Sequence, residues 1–322
     1  AKEIKTIGVL TSGGDAPGMN AAVRAIVRAG ISKGYRMMGI QRGYNGLING
    51  EVYEMNVRSV SEIIHRGGTI LYTARCLEFK TQEGQAKGLA RCKELGIDAL
   101  VVIGGDGSFM GARALANQGI PCIGLPGTID NDIACSEYTI GYDTAMNTAV
   151  EAIDKLRDTT QSHDRCSVVE VMGHHAGYLL NVGIATGAVA VLLPEIPFDF
   201  ERDILQRMRQ TQVTGKKHFI IIVSEGVIGA QELANQIQAA TGVDSRATVL
   251  GHIQRGGSPT VRDRVNASLM GYHAIDLLDK GIYNRVVAVS GDKIVDYDVN
   301  VALSMHKTID RDMIEIANAI SI

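Results

Sequence analysis

The chain has 322 residues, of which 45% are hydrophobic and only 5% aromatic, and its formal net charge is −3. This length accommodates one large or two ordinary α/β domains, and the aliphatic composition suits parallel sheets that are covered by helices. The charge balance argues against a surface built for nucleic acid, so nucleic acid is not expected as a partner.

The cysteines and the apolar segments of the sequence indicate the cellular compartment in which the protein is expected. The five cysteines form no CxxC pair, and no His/Cys spacing is typical of a zinc site, so reduced thiols are expected. The first residues lack the apolar core of a signal peptide, and the longest apolar stretch, around 187–193, is far too short to cross a membrane. We expect a soluble cytoplasmic protein with no membrane partner.

Strand and helix patterns alternate along the chain. Short β-branched runs predict strands buried on both faces of a parallel sheet. In chain order the pattern predicts strand 7–10, helix 21–29, strand 37–40, helix 83–95, strand 99–103, helix 108–117 and strand 122–125. A long amphipathic helix follows at 144–160, and the pattern then restarts with strands at 168–171, 188–193, 219–223 and 247–250. This indicates two doubly wound α/β domains with a boundary near residue 142.

Two glycine loops each follow a predicted strand and precede a helix, SGGD at 12–15 and GGDGS at 104–108. Unpaired N–H groups at a helix start favour an anion, and glycine lets a phosphate approach the backbone. One such loop is also what any α/β protein needs at a tight turn, but two favour a phosphate site. Neither matches GxGxxG or the P-loop, so phosphates would be neutralised by backbone, Mg²⁺ and arginines.

The loop PGTIDND at 126–132 carries two carboxylates two residues apart, directly after an apolar run. A hard cation that carries phosphates needs only one or two protein carboxylates, for which Asp106 and Asp132 are the candidates. Asp130 is then the candidate base for an attacking hydroxyl. A helix-capping role stays open for any one of these acids. The combination favours phosphoryl transfer to an alcohol.

Two further loops lie in the second half. GHIQRGGSP at 251–259 presents His252 and Arg255 before a helix that starts near Pro259, and arginine suits bidentate contact with a sugar phosphate. A solvated turn arginine is the alternative. VMGHHAG at 171–177 has adjacent histidines, which cannot both face one metal from a regular element. A ligand-contacting loop is therefore favoured over a metal site.

These motifs, in this order, resemble the bacterial ATP-dependent 6-phosphofructokinase family over nearly the whole chain. The matching segments are TSGGDAPGMNA, IGGDGS, GLPGTIDNDI, TIGYDTA, EVMGHHAG, SEG and LGHIQRGGSP, and PGTIDND and GHIQRGGSP are the most specific. The resemblance implies transfer of the γ-phosphoryl group of MgATP to the 1-hydroxyl of fructose 6-phosphate, a step of glycolysis. It implies two Rossmann-like domains with the active site in the cleft between them. The larger, ATP-binding domain comprises 1–141 and about 254–304, and the smaller, fructose 6-phosphate-binding domain comprises 142–253 and about 305–322.

The resemblance also assigns roles to residues. Asp130 matches the catalytic base, Asp106 matches the Mg²⁺ ligand and Asp132 helps to hold the metal through water; Arg75, Thr128 and His174 are assigned to catalysis with them. The positions that match ATP contacts are Gly14, Tyr44, Arg75, Cys76, Gly105, Asp106, Gly107 and Ser108. Those that match sugar-phosphate contacts are Thr128, Ile129, Asp130, Met172, Gly173, His174, Glu225, His252 and Arg255. Arg165 and Arg246 match arginines that reach the sugar phosphate from a neighbouring subunit, which implies a homotetramer.

The phosphoryl donor depends on two glycines. Relatives that use pyrophosphate carry an acid at position 107 and a lysine at position 127, whereas this chain has glycine at both. An acid at 107 would crowd and repel the α-phosphate of ATP. The sequence therefore favours ATP over pyrophosphate.

The chain departs from the family at two sites. His174 stands where the family usually carries an arginine, and because an imidazole lacks the fixed cationic fork, slower turnover is expected unless Arg75 compensates. The basic residues that match the family's effector site are Arg24, Arg28, Arg157, Lys216, Lys217 and His218. However, Val57, Ala190 and Thr214 replace a common Arg, Glu and Lys. Blunted control by ADP and phosphoenolpyruvate is expected, unless Arg58 substitutes.

Three other functions stay open from the sequence. Another kinase class with a GGDG loop would not be expected to carry PGTIDND or GHIQRGGSP. A nicotinamide-dependent dehydrogenase would be expected to carry GxGxxG after the first strand. A slow or non-catalytic regulatory paralogue is suggested by His174, although retention of the three loop aspartates and Arg255 argues against it.

Overall fold

The structure, a computed structural model, describes residues 2–173 and 176–322. The chain divides into two compact units. Unit 1 comprises Ala1–Thr144 and Arg255–Lys307, and unit 2 comprises Ala145–Gln254 and Thr308–Ile322. Both units are therefore built from two separate stretches of chain. No helix in the described part of the chain is both long and apolar enough to cross a membrane.

The secondary structure alternates along most of the chain. The strands are β1 Thr6–Thr11, β2 Arg36–Ile40, β3 Val52–Met55, β4 Ala99–Gly104, β5 Cys122–Pro126, β6 Cys166–Val171, β7 Ala190–Leu192, β8 Phe219–Ser224, β9 Ser245–Val249, β10 Arg285–Ser290 and β11 Lys293–Asp298. The helices are α1 Met19–Ser32, α2 Gly43–Asn49, α3 Gln82–Leu95, α4 Asp106–Ala116, α5 Tyr142–Ser162, α6 Ala176–Thr186, α7 Gln206–Val213, α8 Ala230–Thr241, α9 Val261–Asp279, α10 Val299–Ser304 and α11 Arg311–Ile320. Single 3₁₀ turns occupy Val57–Val60, Leu77–Lys80 and Gly251–Arg255, and a π-turn at Glu201–Leu205 leads into α7.

Unit 1 is built on a seven-stranded sheet in the order β11-β10-β5-β4-β1-β2-β3. The five inner strands are parallel, and both edge strands, β3 and β11, pair antiparallel with their neighbours. β1 and β4 are fully buried. Leu10 and Val102 pack with residues of α2 and α4 on one face, and α1 also contacts both strands. The chain reverses its direction of winding between β1 and β4. In sheets of this kind, ligands bind outside the carboxyl ends of the strands at such a switch point.

Unit 2 has a smaller parallel sheet of four strands in the order β7-β8-β6-β9. Its core packs the inward faces of β6 and β8 against α8 through residues such as Val168, Ile221 and Leu233. β6 lies between β8 and β9, so the loops after these three strands emerge at the same edge.

The prediction of two doubly wound α/β folds is confirmed. No strand was predicted after residue 250, whereas the structure has an antiparallel hairpin of β10 and β11 there. Its two-residue turn is Gly291-Asp292, with φ +55° and +60°, the left-handed pair that a tight hairpin of this type requires. The Gly-Asp pair between two apolar runs was the available signal.

Candidate active site

Three loops meet at the carboxyl edge of unit 1, because they follow the adjacent strands β1, β4 and β5. Ser12 N donates to Ile103 O at 2.8 Å, and Gly127 N donates to Gly104 O at 2.9 Å. Gly104 is required at this crossing, since a Cβ there would lie 2.6 Å from Ser12 O. The two glycine loops and the PGTIDND loop are thus held together by their own backbones.

The start of α4 presents Asp106 as its first residue. Gly105 is half-buried, whereas Asp106 and Gly107 are exposed, so the first turn of α4 lies at the solvent-facing side of this edge. Ser108, the last residue of the GGDGS motif, is buried. A helix N-terminus beside glycine backbone suits the phosphates of a nucleotide.

Tyr44, which the sequence assigned to ATP contact, lies beneath the start of α4. Its ring is buried and stacks on Phe79 with the ring centroids 4.1 Å apart. Its hydroxyl donates to Ser108 O at 2.5 Å. Burial holds the pKa of Tyr44 well above its ordinary value, so the hydroxyl keeps its proton at neutral pH. Tyr44 therefore supports the phosphate-facing turn from the core side.

The PGTIDND loop is held by hydrogen bonds on both sides of its acids. Asp130 N donates to Thr128 Oγ1 at 3.2 Å, and Thr139 Oγ1 donates to Thr128 O at 2.6 Å. Asn131 has φ +50°, in the left-handed region, and its Nδ2 donates to Glu137 O at 3.1 Å. Asp130 and Asp132 are both half-buried, whereas Ile129 between Thr128 and Asp130 is buried. The loop thus anchors Ile129 and leaves two carboxylates accessible.

The carboxylates fit a magnesium ion that carries phosphates. Ile133 and Cys135 pack with Phe109 of α4 in one apolar cluster, which brings the segment after Asp132 against the helix that Asp106 begins. Among the described residues, no group of three or more His, Cys, Asp or Glu side chains is arranged to hold a metal ion. Mg²⁺ is commonly bound through one or two carboxylates plus substrate phosphates and water, so a pair of carboxylates suits it.

Arg255 lies against the SGGD loop, and the segment that leads to Arg75 and Cys76 is hydrogen-bonded to the same loop. A Cβ built on Gly14 would lie 3.4 Å from Arg255 Nη1, so the Arg255 guanidinium lies against this exposed glycine. Thr73 Oγ1 donates to Gly13 O at 2.6 Å and ties the segment before Arg75 and Cys76 to the same loop. Arg75 is exposed and Cys76 is half-buried. These positions bring positive charge to the edge where a polyphosphate would lie.

The other predicted sugar-phosphate residues lie in unit 2, at the carboxyl ends of β6, β8 and β9. Met172 and Gly173 follow β6, Glu225 follows β8, and the exposed His252 lies in the turn after β9. Ser224 Oγ donates to Gly173 O at 2.7 Å, which fixes a glycine whose φ is +143°. His174 lies outside the described residues, and its predicted role stays a prediction.

Gln254 is a connecting residue that the sequence analysis did not identify. It is fully buried, its Oε1 accepts from Met172 N at 2.8 Å, and its Nε2 donates to Tyr178 Oη at 2.7 Å. Tyr178 is therefore part of a chain of contacts that orients Met172. A glutamine inside GHIQRGG was the only sequence signal for it.

A buried acid, Asp263 of α9, also escaped the sequence analysis. Its carboxylate accepts from Gly141 N at 2.9 Å and from both Thr144 N and Thr144 Oγ1, at 2.8 and 2.5 Å. It thereby caps the first turn of α5 from another helix. Burial raises the pKa of Asp263 to about 6, against the opposing effect of these hydrogen bonds.

Arg165 and Arg246 share one acid. Arg165 Nε lies 2.8 Å from Asp244 Oδ2, and Arg246 Nε lies 3.2 Å from Asp244 Oδ1. Hydrogen bonds from Arg246 and then Arg165 lower the pKa of Asp244 below its ordinary value. The two arginines that the sequence predicted to act together are therefore neighbours in unit 2.

The predicted effector residues form one basic cluster in each unit. In unit 1, burial lowers the pKa of Arg28, and Arg24 and Arg58 lower it further. In unit 2, burial and the charge of Arg157 lower the pKa of Lys216. The pKa of His218 is lowered by burial and then by the charges of Lys216 and Arg157. Lys217 is exposed beside them. Clusters of mutually repelling cations suit an anion.

Comparisons with known proteins identify relatives over the whole chain. The family model described as phosphofructokinase matches residues 6–278. An ATP-dependent 6-phosphofructokinase of Clostridium botulinum (strain Hall) is 54% identical over 319 residues, which cover 99% of this chain and 100% of that protein.

Solved structures agree in fold. A phosphofructokinase from Saccharomyces cerevisiae has a TM-score of 0.87 and 34% identity, and the match covers 98% of this chain but 46% of the yeast chain. This chain thus spans less than half the length of that relative. A pyrophosphate-dependent phosphofructokinase from Marinobacter aquaeolei has a TM-score of 0.85 at 20% identity, covering 96% of this chain and 86% of that chain, and shows a shared fold alone.

Proposed function

This chain belongs to the phosphofructokinase family, and from that premise we propose that it transfers the γ-phosphoryl group of ATP to the 1-hydroxyl of fructose 6-phosphate. The products are fructose 1,6-bisphosphate and ADP, and the reaction is a step of glycolysis. One observation carries the proposal: two glycine loops and the PGTIDND loop meet at the carboxyl edge of β1, β4 and β5. The activity in the name of the Clostridium relative, ATP-dependent 6-phosphofructokinase, is thereby proposed for this chain as well.

In the proposed reaction, the Asp130 carboxylate accepts the proton of the 1-hydroxyl as the sugar oxygen attacks the γ-phosphorus. The bond between the γ-phosphorus and the bridging oxygen to the β-phosphate breaks, and ADP leaves. Thr128 Oγ1 accepts from Asp130 N and orders the base. Asp106 and Asp132 would hold Mg²⁺, which supplies positive charge against the phosphate oxygens. Arg75 adds charge from the segment tied to the SGGD loop.

The sugar phosphate would be bound by the residues that match the family's sugar-phosphate contacts. Thr128, Ile129 and Arg255 belong to unit 1, whereas Met172, Gly173, Glu225 and His252 belong to unit 2. Arg165 and Arg246, held side by side by Asp244, would reach the sugar phosphate of a neighbouring subunit. The proposed functional form is the homotetramer that the family resemblance implies, in which a neighbouring subunit would complete each site.

Regulation would use the two basic clusters, with ADP or phosphoenolpyruvate as the anion. Burial lowers the pKa of Arg28 and of Lys216, and neighbouring cations lower both further. A bound anion would offset the repulsion among these cations, which supports the role. A cytoplasmic location is supported by the cysteines, all five of which are free thiols.

A coupled assay tests the function. Fructose 1,6-bisphosphate formation is followed through aldolase, with MgATP or magnesium pyrophosphate as donor. Asp130→Asn should lower kcat by about 10²- to 10⁴-fold, because general-base catalysis contributes about that much. The matched control Asp154→Asn alters an exposed acid of α5 and should leave kcat unchanged. An Asp130→Asn enzyme with wild-type kcat would remove the assigned base.

Assays of the wild-type chain with different donors and acceptors distinguish the proposed function from the alternative functions. Turnover with ATP alone supports both the reaction and the donor. Absence of turnover with either donor would favour a slow or non-catalytic regulatory paralogue, and His174→Arg would then be the first reversion to assay. Phosphorylation of NAD or lipid would favour another GGDG-loop kinase.

A further inference from the structure

The side chain of Lys307 ends on the loop that carries Asp130 and Asp132. Lys307 Nζ donates a hydrogen bond to Asn131 O at 2.8 Å. Lys307 is the last residue of unit 1, 176 positions along the chain from the carbonyl that it contacts. It belongs to none of the motifs or site residues described above.

The contacted carbonyl matters because it belongs to the peptide that joins Asn131 to Asp132. Asn131 has φ +50°, a region that residues other than glycine, asparagine and aspartate rarely adopt. Its side chain is fixed by the bond from Nδ2 to Glu137 O. Lys307 fixes the backbone carbonyl of Asn131 through its own hydrogen bond. Together the two contacts set the direction in which the backbone leaves Asp130 and enters Asp132.

The ammonium also lies in the field of acidic groups. Asp132, Cys135 and Glu137 each act electrostatically on Lys307, and Cys135 in turn is acted on by Asp106. Lys307 is exposed as a residue, but desolvation of its ammonium lowers the pKa, and the three neighbouring groups oppose that shift. A cation at this place offsets repulsion among carboxylates that would converge on a metal.

We propose that Lys307 is a positioning residue for phosphoryl transfer: it holds the Asn131–Asp132 peptide in the orientation that the two neighbouring carboxylates need. It also keeps one positive charge beside the acids that would hold Mg²⁺. Lys307 does not touch the reacting atoms and acts through Asn131. The inference rests on the proposed function, and the experiment below separates the two.

Three variants test it in the full-length enzyme. Lys307→Met keeps the length of the side chain but removes the donor and charge, and Lys307→Arg keeps both. Lys280→Met removes an exposed lysine of unit 1 that pairs with Asp276 at 2.8 Å, far in sequence from any site loop. Lys307→Met should lower kcat about tenfold, the effect of losing one charge-assisted hydrogen bond, with each KM changed less than about threefold. Lys307→Arg should recover most of the loss, and Lys280→Met should match wild type.

Hydrogen exchange supplies a readout that does not depend on activity. Peptides covering 127–137 should exchange faster in Lys307→Met than in wild type, and peptides covering β4 should exchange equally in both. Lys307→Arg should restore the protection of the loop.

The kinetic and exchange results together support or overturn the positioning role of Lys307. Equal exchange in the loop and equal kcat for Lys307→Met and Lys280→Met would overturn the positioning role. Faster exchange throughout unit 1 would also overturn it, because Lys307 would then stabilise the fold in general. A wild-type chain without turnover would refute the proposed function, and loop exchange would still decide whether Lys307 holds the Asn131–Asp132 peptide.

Discussion

At the scale of single residues, the proposed preference for ATP rests on Gly107 and Gly127, and the two positions differ in the space around them. A Cβ built on Gly107 has nothing within 4 Å, whereas a Cβ on Gly127 would lie 2.8 Å from Ile103 Cγ2 and 3.2 Å from Met19 Cε. A side chain can therefore be added at 107 without repacking, but at 127 it displaces the core beneath the loop. The effect of an acid at 107 can accordingly be measured by itself.

Gly107→Asp is expected to fold normally and to lower kcat/KM for MgATP by more than about tenfold, because it places a negative charge where the nucleotide phosphates approach. Gly107→Ala is the matched control, since it adds the Cβ without the charge and should retain most activity. Steady-state kinetics with ATP measures the effect, and unfolding temperature checks the fold. Equal losses in both variants would show that space, not charge, decides.

At the scale of elements, helix starts in unit 1 are held by side chains from other parts of the chain. Asp263 of α9 caps α5, and Thr260 Oγ1 donates to Asp143 Oδ2 at 2.7 Å, so the starts of the two helices are linked in both directions. The segment just before α5 includes Thr139, which donates to Thr128 O. The network thus reaches the PGTIDND loop.

Asp263→Asn should change how stability depends on pH. The pKa of Asp263 is raised from 3.8 to about 6 in the folded chain, so its contribution to stability is fully present below pH 3.8 and lost as pH rises through about 6. The unfolding free energy of wild type relative to Asp263→Asn should therefore fall by up to about 3 kcal/mol between pH 4 and 7. Urea unfolding of both chains at several pH values measures it. A difference that stays constant with pH would contradict the raised pKa.

The elements that carry the site were predictable because they follow local rules. Short apolar runs that lead into a glycine-containing turn identify β1, β4 and β5, and the acids after them lie where such strands must end. The contacts of Asp263, Gln254 and Lys307 were not predictable, because each joins positions far apart in the chain without a local pattern. Tyr44 illustrates the limit: its neighbours in sequence did not indicate that Phe79 would enclose it.

At the scale of the whole molecule, the proposed regulation would involve two basic clusters, one in each unit. Arg58 acts on Arg28 and so adds a cation near the position where Val57 replaces a common arginine. Val57 itself contributes only its carbonyl, which accepts from Arg28 Nη2 at 3.4 Å. Each cluster therefore has fewer cations than a strongly regulated relative is expected to have.

Val57→Arg should raise the apparent affinity for phosphoenolpyruvate or ADP by roughly tenfold, because it adds one charge-assisted contact to the anion. Fructose 6-phosphate saturation curves with and without each effector measure this. Val301→Arg, on an exposed face of α10, adds the same charge elsewhere and should have no effect. A wild-type response that is already strongly sigmoidal and abolished by ADP would contradict the expectation of blunted control.

Unit 1 is built from two separate chain segments, and the second is synthesised after the strands of unit 2. This sets the order in which the two sheets can be completed during synthesis. β5 needs β10 as its neighbour, with Ile123 paired to Arg285, yet all four strands of the unit 2 sheet leave the ribosome before residue 285 does. The second sheet can therefore close while the first still has an open, hydrogen-bonding edge at β5. A nascent chain that pauses in α9 would expose that edge to other chains, and release of the β10–β11 hairpin ends the exposure.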